Sequence, residues 1–477
     1  MRAFQKVAEK IRLDIENGVW RIGDTLSSER QMAQQYQVSR STIRRAWEEL
    51  ETMGYIKWDA FSPPQVINVP QWPTAIARSS LTQWNQTQTK PVSSFLSDLM
   101  SAAASQARFN FEIGMPDTSL LPIFELESVI RELFTQRTRE VFSYSPTAGI
   151  DRVREAIAEE FLGRRNLHLS PDHLLITSGS LQALDLLSSL WIRPGDIVIT
   201  ESPTFAGALQ IFRAHGAQII GIDVGTEGVN PAQMKDALSR HDTRLIYLQP
   251  YYQNPTSVSM SEATRQALLD LAISYHVPII EDDAYGFLAP GHSLPLRAYK
   301  GAEEHVIYIN TFSKILAPGL RVGLIAGPPD LIYQLTQIKQ LGDLHTGTVS
   351  QLLVEGWLRS GNIDQYIQAV RKVYAERIQT AKQLLPQLGF PIWGNPHNGF
   401  YVFAELPRSL SALAFHQYAA KRDVLFAPGL AFGTDDQFRH WIRLCVSTAN
   451  PMAIHTGLAR LSRLVKAYKD APGSFGL

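Results

Sequence analysis

Between residues 174 and 326 the chain alternates short β-rich runs with helical patterns, which confines this region to an α/β layer. The runs are Leu174-Ile176, Ile197-Thr200, Leu245-Leu248, Val277-Glu281, Val306-Ile309 and Val322-Ala326. Helical patterns over 181–191, 231–240 and 261–275 separate most of them. This order predicts a mostly parallel sheet, and ligands of such sheets lie beyond the carboxyl ends of the strands. Polar residues gather at those ends. Thr177-Ser178-Gly179-Ser180 leads into a helix, and free N–H groups at a helix start suit a phosphate. Glu201 to Phe205 supplies an aromatic ring, and Gln249 to Thr256 supplies an amide, Asn254. Glu281-Asp282-Asp283 ends an apolar strand with acids, which are costly to bury without a cation. Last comes Lys314 in NTFSKILAPGLRVG, with Arg321 seven residues on. Singly, each has a plainer reading: a strand-to-helix turn, a core phenylalanine, a solvated lysine. Together they suit a Schiff-base amine beside a bound phosphate, the chemistry of pyridoxal 5′-phosphate.

At 477 residues the chain exceeds one core, so two or three domains are expected. Formal net charge is zero, so any DNA binding must come from a local patch. The single cysteine, Cys445, excludes an intramolecular disulfide and a Cys-rich metal site, and its run WIRLCVS reads as a buried strand. No metal is expected. Without a basic-then-apolar opening or an apolar run of about 18 residues, a cytoplasmic protein with no membrane partner is expected.

Residues 1–70 read as a small helical domain. Val7, Ile11 and Ile15 share a helix face that Asn17-Gly18 stops, and a turn spans Arg21 to Asp24. Ser28 and Gln31 form a capping box opening a second helix with Met32, Ala33 and Tyr36 inward. Ser39 caps a third, running to about Thr52, with Ile43, Ala46, Trp47, Leu50 and Met53 on its apolar stripe. Its opposite face carries Arg40, Ser41, Arg44 and Arg45, the arrangement of a helix-turn-helix reading end. Bulk charge is neutral on this point, with ten basic residues against nine acidic. The stretch from 71 to 107 is poor in charge and rich in Ser, Thr and Gln, a linker reaching roughly 65 Å over twenty residues, with weak helical character over 94–104.

LSSERQMAQQYQVSRSTIRRAWEELETMGYI resembles the winged helix-turn-helix of GntR-type bacterial regulators. That resemblance implies binding of double-stranded DNA through Arg30, Ser39, Arg40, Ser41, Thr42 and Arg44. The wing, Tyr55 to Asn68, departs from the family in lacking a glycine-rich tip.

From 108 to about 465 the order of polar strand ends resembles fold-type I enzymes, the class I aminotransferases of the aminoadipate/kynurenine kind. This implies a large domain with a mostly parallel sheet and a smaller C-terminal α+β subdomain within 108–477. Carried over by position, Lys314 is the lysine that binds the cofactor covalently, Asp282 holds the ring nitrogen protonated, and Tyr285 with Asn254 contacts the ring hydroxyl. Phe205 stacks on the ring. Ser180, Thr311 and Arg321 take the phosphate, with backbone N–H groups of Gly179 to Leu181. Tyr144 is similar to the tyrosine lent by a partner subunit, implying a homodimer, and Arg443 to the arginine that grips a substrate carboxylate. Lys314, Asp282 and Tyr285 make up the catalytic set that the resemblance implies.

The fusion of the two modules resembles the MocR subfamily of transcriptional regulators. It implies a regulator whose promoter binding responds to an amine or amino-acid effector, or to pyridoxal phosphate itself. The competing expectation is a working aminotransferase with an accessory DNA-binding domain, since its catalytic set is present. A third is a winged helix serving protein contacts.

Overall fold

Hydroxyl caps set the frame of the N-terminal unit. The computed structural model describes residues 3–16, 20, 23–59, 62–67, 107–290 and 293–470. Helix α1 (Ala3–Glu16) is followed by α2 (Glu29–Gln35), where Ser28 accepts from Gln31 N and the Gln31 side chain accepts from Ser28 N at 3.1 Å. The expected capping box is there. Ser39 caps α3 (Arg40–Thr52) by accepting from Thr42 N at 3.2 Å. The three helices bury Val7, Ile11, Ile15, Met32, Ile43, Ala46, Trp47 and Leu50 in one core. Tyr36 is half-buried rather than fully inward, because its hydroxyl lies 3.4 Å from Asp14 Oδ2. Strands β1 (Ile56–Lys57) and β2 (Gln65–Val66) pair antiparallel as a short wing. The helix stop at Asn17-Gly18, the turn residues Arg21-Ile22, the wing residues 60, 61 and 68, and the linker reading over 71–106 lie outside the described residues.

The chain divides into two compact units, residues 1–90 and 91–477. The second is built on an eight-stranded sheet. Its strands are β4 (Leu174–Thr177), β5 (Ile197–Ser202), β6 (Gln218–Gly225), β7 (Gly228–Val229), β8 (Thr243–Leu248), β9 (Ile279–Asp282), β10 (Val306–Thr311) and β11 (Gly323–Ala326), in spatial order β4-β11-β10-β9-β8-β5-β6-β7. Neighbours from β10 across to β6 are parallel, while β11 runs antiparallel to both β4 and β10. Every residue of β9 and β10 is buried, as continuous apolar runs require when helices cover both faces. All six strand runs read from the sequence hold strands, although Val277-Pro278 and Val322 fall outside β9 and β11. β6 is an addition: its half-exposed face dilutes the apolar run that would have marked it.

A four-stranded sheet forms the smaller subdomain, in the order β12-β14-β13-β3. Here β12 is Tyr401–Glu405, β13 Val424–Pro428 and β14 Trp441–Cys445, the last burying Cys445 as expected. The edge strand β3 (Phe109–Phe111) comes from the start of the unit and pairs parallel with β13. That pairing brings Glu112 and Gly114 to the mouth of the large sheet's carboxyl edge. The fold is α/β with a winged helix-turn-helix at its N-terminal end. Among the described residues no helix is long and apolar enough to cross a membrane.

Candidate functional site

At the end of β4, Gly179 turns with φ +101°, and a Cβ there would lie 2.7 Å from Arg321 Nη2. Only glycine fits beneath that guanidinium. The helix Ser180–Trp191 then starts without a side-chain cap, so its first N–H groups, including those of Ser180 and Leu181, have no intrahelical partner. Arg321 donates to Ser178 O at 2.8 Å and to Ser313 Oγ at 3.3 Å. Gly179, Ser180, Leu181, Ser313 and Arg321 thus line one anion cradle. Thr311 is buried with its hydroxyl turned to the loop backbone, donating to Val322 O at 3.3 Å and accepting from Ser313 N at 3.2 Å.

The three acids ending β9 diverge. Glu281 accepts from Leu296 N at 2.7 Å and Arg297 N at 3.0 Å, and Asp283 pairs with Arg165 at 3.2 Å and accepts from Tyr308 at 2.9 Å. Asp282 Oδ2 accepts from Tyr247 at 2.8 Å, and its buried Oδ1 has no hydrogen-bond partner among the described residues. Asp283 Oδ1 is likewise unpaired, yet Arg165 meets the charge of that carboxylate. Burial raises Asp282 to about 6, against the Tyr247 hydrogen bond that lowers it.

Lys314 is half-buried, and its Nζ donates to Gly114 O. Burial lowers it to about 8; Arg443 and Arg321 push the same way, while Cys445 and Asp282 oppose. Tyr285 meets Tyr401, hydroxyl to hydroxyl, at 2.6 Å, and burial drives it well above its ordinary value. Arg443 donates to Asn254 Oδ1 at 3.0 Å and to Glu112 O, with its guanidinium 4.6 Å from the Tyr401 ring and 4.9 Å from that of Phe432. Arg443 therefore fixes the Asn254 amide through its oxygen. Phe205 is partly buried and crowds Gly207 together with Leu181. Tyr144 stands apart: it is 87% exposed, with its ring edge-on to His345 at 5.7 Å.

These residues fit pyridoxal phosphate. The unpaired Asp282 Oδ1 suits a protonated ring nitrogen, the Gly179–Arg321 cradle a phosphate, and the lowered Lys314 an aldehyde-reactive amine.

In the N-terminal unit, Arg30, Ser39, Arg40, Ser41 and Arg44 are exposed and Thr42 half-exposed. The hydroxyls of Ser41 and Thr42 each lie 2.8 Å from Ser39 Oγ, clustering three hydroxyls at the start of α3. Arg44 reaches Glu29 Oε2 at 3.3 Å and lies 5.9 Å from the Trp58 ring.

Residues 109–461 match the family model described as aminotransferase class I and II. The chain belongs to that family. Residues 3–58 also match the model for bacterial regulatory proteins of the gntR family, which makes the chain a gntR-type regulator module fused to an aminotransferase domain. Over 95% of its length it is 30% identical to the uncharacterized HTH-type transcriptional regulator YisV of Bacillus subtilis (strain 168), covering 94% of that protein. It is 32% identical over 74% of its length to aromatic-amino-acid aminotransferase 1 of Thermococcus litoralis, covering 87% of that enzyme. Among solved structures, the α-aminoadipate aminotransferase LysN of Thermus thermophilus, complexed with N-(5′-phosphopyridoxyl)-L-leucine, superposes with a TM-score of 0.75. Its identity is 30%, over 81% of this chain and 99% of LysN.

Four residues of this aminotransferase-family site carried no role in the sequence reading: Gly114, Tyr247, Ser313 and Tyr401. A tyrosine inside a fully buried run, as in Leu245-Ile246-Tyr247-Leu248, needs a hydroxyl partner, a signal that could have marked Tyr247 but not its partner, Asp282. Gly114 and Tyr401 gave no comparable local signal, because Gly114 reaches Lys314 through the pairing of β3 into the small sheet and Tyr401 reaches Tyr285 from β12.

Proposed function

We propose that this chain is a transcriptional regulator that binds double-stranded DNA through α3 and holds pyridoxal phosphate at Lys314, where an amine or amino-acid effector modulates promoter binding. The observation that carries this reading is one chain holding both an exposed Arg/Ser/Thr helix start and a half-buried lysine beside a buried acid and arginine. LysN's complex with a phosphopyridoxyl amino acid supports the cofactor assignment. Bound there, the cofactor supplies an aldehyde carbon for an amine and an electron-drawing ring. Asp282 Oδ1 would hold a proton on the ring nitrogen, and Arg321 with the helix N-terminus would fix the phosphate. Lys314, lowered by burial to about 8, keeps a neutral fraction near neutral pH and so could add to that aldehyde carbon. Arg443, backed by Asn254 and two aromatic rings, is positioned to orient a carboxylate.

On the DNA side, Arg30, Arg40 and Arg44 would reach phosphates or guanine edges, and the Ser39, Ser41 and Thr42 hydroxyls would reach phosphate oxygens. Its operation as a cytoplasmic homodimer, with Tyr144 serving the other subunit's site, is part of the proposal. Exposed Phe124, Phe142, Tyr144 and Leu341 support a covered face. Domain borders at 70 and 107 are proposed likewise.

A second reading, an active aminotransferase with an accessory DNA-binding domain, is favoured by the presence of Lys314, Asp282, Tyr285 and Arg443 together. One experiment separates them: titrating the purified holoprotein with amino acids while following its visible spectrum and its retardation of its own upstream DNA. A persistent amino-acid-bound spectrum with altered DNA retardation supports the regulator. Rapid multiple turnover with a 2-oxo acid, and no retardation of any DNA, overturns it.

A further inference from the structure

A second cleft opens on the far side of the Asp282–Tyr285 loop, between the segment around Phe161 and the long helix Ile363–Gln387. It encloses about 320 Å³, within the range of small-ligand sites. Its apolar walls include Phe161, Phe287 and Ile367, and its polar groups include Arg164, Arg165 and Arg371.

Three carboxylates, Glu160, Asp283 and Asp364, face the three arginines, yet they are shared unevenly. Arg164 is matched by Glu160 at 3.1 Å and Asp364 at 3.0 Å, and Arg165 by Asp283 at 3.2 Å. Arg371 has no carboxylate in ion-pair range among the described residues. Its hydrogen bond is to a backbone carbonyl, Phe287 O, at 2.9 Å, and its Nε is buried and unpaired. A partly buried guanidinium without an anion is costly, and burial together with neighbouring Arg165 lowers its basicity. A guanidinium with no carboxylate in reach leaves room for one anionic contact, and two phenylalanines with an isoleucine suit an apolar body.

The backbone is also specialised here. Ile157–Leu162 forms a π-helical turn, a rare geometry often found at functional sites. The turn ends at Gly163-Arg164-Arg165, so it positions both Phe161 and two of the three arginines.

We infer that this cleft is a binding site for a small monoanionic carboxylic acid with an aromatic or branched apolar body, its carboxylate on Arg371. The site is separate from the one at Lys314 and does not depend on the proposed regulatory role. It touches the same loop, however. Arg371 holds Phe287 O, two residues beyond Tyr285, and its own carbonyl accepts from Asn398 Nδ2 at 3.0 Å, in the segment leading to Tyr401. An acid that draws the Arg371 guanidinium toward itself loosens its hold on Phe287 O, two residues from Tyr285.

The test is calorimetric titration of the full chain with benzoate and indole-3-acetate, and with benzamide as the neutral counterpart. Saturable acid binding is expected, weakened about tenfold or more for benzamide, in Arg371→Gln and in Ile367→Trp, which fills the cleft one helical turn from Arg371. Arg443→Gln, which removes the carboxylate-binding arginine at Lys314, should leave this binding in place. No saturable binding of either acid at millimolar concentration overturns the inference. So does equal binding of benzamide, binding abolished by Arg443→Gln, or binding unchanged in both Ile367→Trp and Arg371→Gln. If Arg371→Gln fails to fold, Ile367→Trp decides alone.

Discussion

The hydroxyls of Tyr285 and Tyr401 lie 2.6 Å apart in a buried pocket whose other walls are Arg443 and the loop carrying Lys314. Tyr285 thus has a partner within the protein itself, contributed by the small subdomain. The pair ties the two sheets together at the point where a ligand would enter.

In the cofactor-free protein, Tyr401→Phe and Tyr285→Phe should each lose about 1–2 kcal/mol, since each leaves one buried hydroxyl unpaired. The double variant should lose less than the sum, by about 1 kcal/mol. Urea unfolding of the four proteins measures this. Strictly additive losses would mean that the two hydroxyls do not interact.

Lys314 titrates near 8 in the folded chain against an ordinary 10.5. Between those values the unfolded chain binds more protons, so this residue makes stability rise with pH across that window. Below about 8 the burial penalty is constant. Lys314→Met should therefore remove a rise in unfolding free energy between pH 8 and 10.5, and should raise stability at neutral pH, in protein stripped of cofactor. A wild-type-minus-variant difference that is flat across the window would mean that the amine is well solvated.

Gly179→Ala meets two obstacles at once: a φ of +101° and a contact of 2.7 Å to Arg321 Nη2. The guanidinium must move off the helix start, and the backbone strain costs about 1–3 kcal/mol. Pyridoxal phosphate affinity should fall by about tenfold or more, because phosphate loses both a charge and the aligned N–H groups. Gly195→Ala serves as the control. It has a similar φ of +94° but open space around its Cβ, so it should cost stability without changing cofactor affinity.

The sequence conveyed the large sheet well because strand ends in an α/β layer are local: Gly179, Asp282 and Lys314 each follow an apolar run by a residue or a few. It conveyed less where the site depends on distant pairing. Glu112 and Gly114 reach the site only because Phe109–Phe111 adds to β13, over three hundred residues later, a contact no local pattern encodes. Side-chain partners were illegible for the same reason. The contact of Asn254 Oδ1 with Arg443, which arrives from the other sheet, had no local sign. In the N-terminal unit the caps at Ser28 and Ser39 are local by nature, and both were readable. The pairing of Arg44 with Glu29 was not, because it crosses from α3 to α2.

That pairing sets the last prediction. Arg44 is exposed and Glu29 partly so, and their ion pair at 3.3 Å therefore contributes little to stability. Arg44→Ala should change the unfolding free energy by less than about 0.5 kcal/mol. If Arg44 meets a phosphate, DNA binding should weaken across all sequences and the salt slope should fall by about one; if it reads a base, the loss should be confined to one operator position. Glu29→Ala gives the opposite sign. Freed from its carboxylate, Arg44 no longer exchanges an ion pair for a DNA contact, and affinity should rise. Retardation assays over a series of salt concentrations distinguish these cases, and a Glu29→Ala variant that binds DNA more weakly would remove Arg44 from the interface.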